Sequence, residues 1–167
     1  MSELAEYHPI PQPEEISTRE KEDAMGSYLM MFAALGAGLP LPMLNIIAAF
    51  IYYFLHKSKG RFVRFHVLQS LWSQIPTSLL NGAVVIWTIR IIFEGGEFSS
   101  AYLGLLAIVV LINIIYFSVS IYAAVQARKG RFYYFLFFGR LAYHQVFLVR
   151  DEESEYVRAN PSNKPPM

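Results

Sequence analysis

The sequence predicts an all-α fold: a polytopic helical membrane protein with about four membrane helices plus a C-terminal interfacial helix. Three observations point there. Apolar residues fill 54% of the 167 positions and charged residues only 16%, against about 25% charged in a soluble domain. The charges are also segregated. Met1–Gly26 holds seven acids and two bases, Asp151–Met167 four acids and two bases, and Gly26–Leu55 no charge at all. Finally, the apolar stretches reach the roughly 20 residues a spanning helix needs, and so short a chain cannot bury them in a soluble core. The predicted organisation is an acidic, Pro-rich disordered tail over 1–17, a helical membrane domain over 18–149 and a polar C-terminal tail over 150–167.

The tail opens with acids and prolines (Glu3, Glu6, Pro9, Pro11, Pro13). A cleaved signal peptide would show a basic region and then an apolar one, so the first apolar segment is expected to serve as its own insertion signal. Ser17 followed by Glu20 fits a capping box and starts a helix near Thr18. That helix begins charged and turns apolar from Met25. Gly36, Gly38, Pro40 and Pro42 interrupt the uncharged stretch that follows. Each proline removes a backbone donor and restricts its neighbour. Two readings stay open: one long, tilted, kinked span, or a hairpin of two short helices, about Thr18–Leu39 and Met43–His56.

His56–Arg64 is a basic loop. A second long segment, Phe65–Phe93, contains Pro76, and Glu94-Gly95-Gly96-Glu97 forms an acidic turn. The third segment, Ala101–Ala127, has only Asn113 and Gln126 as strong polar groups, and Arg128, Lys129 and Arg131 follow it. Phe132–Val149 is aromatic and apolar but carries Arg140, His144 and Gln145. That mixture predicts an interfacial or partly inserted helix. The positive-inside rule puts both basic loops in the cytoplasm and the acidic turn outside. The expected location is therefore integral to a membrane, with the basic loops in the cytoplasm.

Lys59-Gly60-Arg61-Phe62 is echoed by Lys129-Gly130-Arg131-Phe132. In both copies the bases are expected at the phosphate level and the aromatics in the membrane interface. Within the second segment, His66, Gln69, Ser70, Ser73, Thr77 and Asn81 recur every three or four residues and form one polar stripe. Hydrocarbon offers no hydrogen-bond partners. The stripe therefore either ties helices together within the chain or lines a hydrophilic groove or an interface with another membrane protein. Ala34 and Gly38 are a small-xxx-small pair of the kind that lets helices approach closely. Arg90 and Glu94, four apart near a helix end, predict a snorkelling ion pair.

Several classes of chemistry are not expected. Without cysteine there is no disulfide, thiolate site or cysteine nucleophile. His8, His56, His66 and His144 have no ligand spacing among themselves, and the confident spans hold no acid. No catalytic residue, cofactor or metal site is expected, and no basic patch suits nucleic acid.

The stretch Arg61-Phe62-Val63-Arg64-Phe65-His66-Val67-Leu68-Gln69-Ser70 resembles the FVRFH-x-x-Q signature of the Tic20-like superfamily. That group comprises a subunit of the chloroplast inner-envelope protein-import translocon and small bacterial membrane proteins of unknown function. Thr18–Met25 with Ser27–Leu29, and Ala127–Tyr134, are similar to the opening and closing motifs of its bacterial branch. The resemblance covers roughly Thr18 to Tyr143. It departs in a compressed apolar hairpin ahead of the signature and in Phe135 where relatives carry proline. It implies a non-catalytic accessory subunit of a membrane protein complex associated with protein translocation or insertion, placed in a bacterial cytoplasmic (inner) membrane. A small-solute or ion transporter or channel acting as an oligomer, and a lipid-interacting structural protein, are the alternatives. The expected partners are membrane lipids and other membrane proteins, a translocon among them. The expected partner or lipid interface is Arg61, Phe62, Arg64, Phe65, His66, Gln69, Ser73, Asn81, Arg128, Lys129 and Arg131.

Overall fold

The structure is a computed structural model and describes residues 7–32 and 42–149. Residues 1–6 of the acidic tail, the Ala34/Gly38 pair and the C-terminal tail lie outside the described residues. Helix α1 spans Thr18–Leu29 and ends in a 3₁₀ turn, Met30–Phe32. Ser17 caps it as its sequence predicts. The Ser17 hydroxyl accepts from the Glu20 backbone N–H, and the Glu20 carboxylate accepts from the Ser17 N–H. Helix α2 spans Pro42–His56. It opens on a proline, whose missing N–H would be unpaired there in any helix.

These two arms run antiparallel, because their charged ends meet. Asp23 lies 3.6 Å from His56 and 3.9 Å from Lys59, and the Tyr52 hydroxyl donates to the Asp23 carbonyl at 2.7 Å. The hairpin alternative therefore describes this geometry. Each arm, counting the 3₁₀ turn, is about 22 Å long at about 1.5 Å per residue, short of the roughly 30 Å hydrocarbon layer.

Helix α3 spans Arg61–Glu94 and α4 spans Ser100–Arg128. Both are long and apolar enough to cross a membrane. Only 17% and 11% of their most apolar windows are buried within the chain, so their apolar side chains face outward, as in an integral membrane protein. The expectation of about four membrane helices thus meets two of spanning length and a shorter hairpin. Gly95, at φ 69°, ends α3 in the left-handed conformation and donates its N–H to the Ile91 carbonyl. Ser99 caps α4 through the Tyr102 N–H.

Helix α1 is wedged between α3 and α4 at their basic ends. Its Ala24 and Tyr28 share a core with Phe62, Val63 and Val67 of α3 and with Ala123, Ala124 and Ala127 of α4. The alanines allow the close approach. The long helices meet each other directly toward the acidic turn, through Val84, Ile91, Tyr102 and Val109. The last helix, α5, spans only Phe138–Phe147 and packs on α3. It is shorter than the predicted Phe132–Val149 because Arg131–Tyr134 is not helical and Phe135–Phe137 precedes the first helical residue. The backbone of Tyr133 and Phe135 bonds instead to a side chain of α3.

Candidate functional site

The polar stripe of α3 is the chemical centre of the molecule, and the chain itself occupies its upper half. His66, Gln69, Ser70 and Ser73 are buried. Gln69 acts as a clamp. Its Nε2 donates to the Tyr28 hydroxyl at 2.6 Å and to the Tyr133 carbonyl at 2.9 Å, while its Oε1 accepts from the Phe135 N–H at 3.0 Å. One side-chain amide thereby replaces a neighbouring strand for an extended segment, satisfying backbone groups that burial would otherwise leave unpaired.

The same network fixes the histidine. The Tyr28 hydroxyl accepts from Gln69 and also bonds His66 Nδ1 at 2.9 Å. The other ring nitrogen, Nε2, has no hydrogen-bond partner, and the ring sits among Phe62, Phe65 and Phe132, at centroid distances of 4.5, 5.0 and 5.6 Å. Ser70 Oγ donates to the Ser27 carbonyl at 2.7 Å and so ties α3 to α1.

Toward the middle of the long helices the stripe turns to α4. Ser73 Oγ lies 3.2 Å from the Tyr116 hydroxyl. Asn81 and Asn113 exchange two hydrogen bonds, each 3.0 Å. A cavity of about 200 Å³ opens here, lined by Gln74, Thr77, Asn81, Asn113 and Tyr116 and, from the hairpin, by Phe32 and Asn45. On another side of the gap between α3 and α4 lies an apolar groove of about 500 Å³, lined by Pro76, Leu80, Ile115, Val119, Leu136 and Phe138 among others.

The basic ends are partly neutralised by α1. Arg128 pairs with Glu22 at 3.1 Å, and Arg61 donates to His8 Nε2 at 3.0 Å. Lys129 and Arg131 are exposed, and Arg64 is half-buried. Arg90 and Glu94 form the expected pair, at 3.1 Å on the surface.

The eleven residues expected at a partner or lipid interface therefore separate. Phe62, Phe65, His66, Gln69 and Ser73 are inside the chain. Asn81 is half-buried in its pair with Asn113, Arg61 and Arg128 have partners, Lys129 and Arg131 are exposed, and Arg64 is half-buried. The Lys-Gly-Arg-Phe echo also splits. Gly60 caps the start of α3, whereas Gly130, at φ 74°, follows the end of α4. The two phenylalanines pack on each other, their rings 5.1 Å apart, with Phe62 buried and Phe132 partly buried against the same core.

Tyr28 and Gln74 are not in the predicted stripe or site. Gln74 had a signal, four residues from Ser70; Tyr28 had none, because its partners lie 38 and 41 residues away. Among the described residues no group of three or more His, Asp or Glu could hold a metal ion.

Residues 24–142 match the family model described as the magnetosome magnetite crystal formation protein family, MamF/MmsF. That is well over half of the chain. The chain belongs to this family. The match corrects the resemblance to the Tic20-like superfamily, which is a different family of small membrane proteins. The physical reason is visible in the motif. Phe62, Phe65, His66 and Gln69 are packing and clamping residues, so their pattern reports how helices are joined rather than what the protein acts on. With it goes the expectation of a translocon partner. No curated protein and no solved structure matches the chain. MamF/MmsF membership and the two outward-facing apolar helices agree on an integral membrane protein in contact with lipid.

Proposed function

We propose that this protein is a non-catalytic integral component of the magnetosome membrane, an accessory subunit that acts beside other membrane proteins in magnetite crystal formation. The family match over residues 24–142 carries this reading. Two features support the non-catalytic part. The His66 and Gln69 side chains are buried in the protein's own packing, and the remaining polar groups of the stripe are neutral. The outward faces of α3 and α4 offer broad apolar surface, including Ile86, Ile92, Ile108, Leu111 and Ile114, on which lipid or another membrane protein can pack. The basic ends lie in the cytoplasm and the Glu94–Glu97 turn on the opposite side, by the positive-inside rule.

The test is a tagged copy in a magnetite-forming bacterium, followed by fractionation and purification in mild detergent with mass spectrometry. The tagged chain is expected in magnetosome membranes, with a stoichiometric membrane partner, and its deletion is expected to alter the crystals seen by electron microscopy. Recovery outside magnetosome membranes, alone and with crystals unchanged on deletion, contradicts the proposal.

A further inference from the structure

Helix α3 is enclosed along its first half and bare along its second. None of its residues from Arg61 to Ile75 is exposed. From Ala83 to Glu94 all are exposed except Val84, Val85, Thr88 and Ile91. The exposed ones include Ile86, Trp87, Ile89, Ile92 and Phe93. At about 3.6 residues per turn these point around most of the helix. Helix α4 follows suit. From Ala101 to Leu111 its buried residues are Tyr102 and Val109, which share a cluster with Val84 and Ile91 of α3.

The rest of the chain encloses the first half. On one side are α1 and α2. Tyr28 and Ser27 bond to α3 at His66 and Ser70, and Phe32 reaches Phe117 of α4, ring centroids 5.1 Å apart. On the other side the chain goes in and comes back. Gln69 holds Tyr133 and Phe135, Phe138 and Pro76 line one groove, and α5 then runs back along α3. Its last residue, Phe147, clusters with Phe65, and the Phe147 carbonyl accepts from the N–H of His8, whose ring bonds Arg61. At the turn Leu136 and Phe137 are 84% and 76% exposed. Pro76 is about 22 Å along α3 from Arg61, at about 1.5 Å per residue, so these two apolar side chains lie at the depth of hydrocarbon.

With 34 residues, α3 is about 50 Å long. A bilayer with its headgroup regions is about 40–45 Å thick, which a tilted helix of that length crosses. The midpoint of α3, near Ser78, then falls near the bilayer centre. In the leaflet at the basic ends the described residues present five helices, on the order of 500 Å² in cross-section at about 11 Å per helix diameter. In the other leaflet they present two, on the order of 200 Å². A flat bilayer must strain its lipids to surround so tapered a body. A bilayer that is convex on the side of the wide half relieves that strain.

We infer that the molecule is a membrane wedge, which partitions into bilayers curved so that the leaflet at its basic ends is convex. Lipid is the occupant of the bare faces of α3 and α4. The inference rests on α3 and α4 crossing the bilayer and is independent of the proposed magnetosome role.

The full-length protein, reconstituted in giant vesicles of phosphatidylcholine and phosphatidylglycerol, tests it. The chain has no native cysteine, so a membrane-impermeant thiol dye added outside selects orientation. It marks Ser58→Cys molecules whose basic ends face out and Gly96→Cys molecules whose basic ends face in. A narrow tube, convex on its outer leaflet, is pulled from each vesicle. Protein density per membrane area in the tube is divided by that in the parent vesicle. The Ser58→Cys protein should be enriched at least about twofold and the Gly96→Cys protein depleted by a similar factor. Two ratios of one overturn the inference, as when a second copy fills the bare half. Enrichment of both, or the reverse order, overturns it too. The double variant separates this failure from a deeper one, since each molecule should take a single dye. Two dyes or none means that α3 does not cross, and the inference falls with the crossing. Ratios of one with a single dye per molecule remove the wedge alone.

Discussion

Gly139 shows how a single hydrogen can hold the network in place. A Cβ there would lie 2.7 Å from Tyr134 Cβ, 2.8 Å from Tyr134 Cα and 2.9 Å from Gln69 Oε1. Two of those atoms are fixed close to the backbone and cannot swing aside. Gly139→Ala is therefore expected to destabilise the folded protein by about 1–3 kcal/mol, read as a lowered unfolding midpoint in detergent. An unchanged midpoint would mean that α5 does not press on Gln69. Tyr28→Phe isolates the network: it removes the acceptor for Gln69 and the hydroxyl partner of His66 Nδ1 while keeping the ring. It should cost about 1–3 kcal/mol, since it strands buried polar atoms, and a neutral effect would mean that the Tyr28 hydroxyl does not bridge Gln69 and His66. The spacing of His66, Gln69, Ser70 and Ser73 was legible from the sequence, because a helical period is local. Their partners were not. Tyr28 and Phe135 come from distant parts of the chain, and no period records a contact across 41 or 66 residues.

Helices α3 and α4 are held together at mid-depth by one reciprocal pair. A double-mutant cycle on Asn81→Leu and Asn113→Leu should show each single change destabilising and the double change less so than their sum, with a coupling of about 0.6–2 kcal/mol. Strict additivity would mean the pair is not formed. At the other end of the chain, Ser17→Ala should cost about 1 kcal/mol through loss of the capping box, seen as earlier thermal loss of helical signal. That cap was readable because its two partners sit three residues apart in sequence. The start of α5 was not readable. Phe132 to Phe137 is uniformly aromatic and apolar apart from its phenols, and nothing local says that Gln69 holds part of it extended. A small-residue seam went unread for a similar reason. Ala123 and Ala127 have the same spacing as Ala34 and Gly38, and only the fold shows that α1 closes on them.

For the whole molecule, the membrane class followed from composition, because segregated apolar segments have few alternatives in so short a chain. The family did not follow, because the residues that carried the resemblance are those that pack α3 against α1 and α5. What the fold adds is an arrangement: two long helices of spanning length lie side by side, and the charged ends of α1 and α2 meet beside the basic ends of α3 and α4. The absence of native cysteine makes this directly measurable. Single cysteines at Ser58, Lys129 and Gly96 occupy exposed positions, and a side chain at Gly96 meets nothing closer than 3.8 Å. In sealed vesicles of one orientation, a membrane-impermeant thiol reagent should label Ser58→Cys and Lys129→Cys from the same face and Gly96→Cys only from the other. Labelling of all three from one face would contradict the two-crossing architecture on which the account rests.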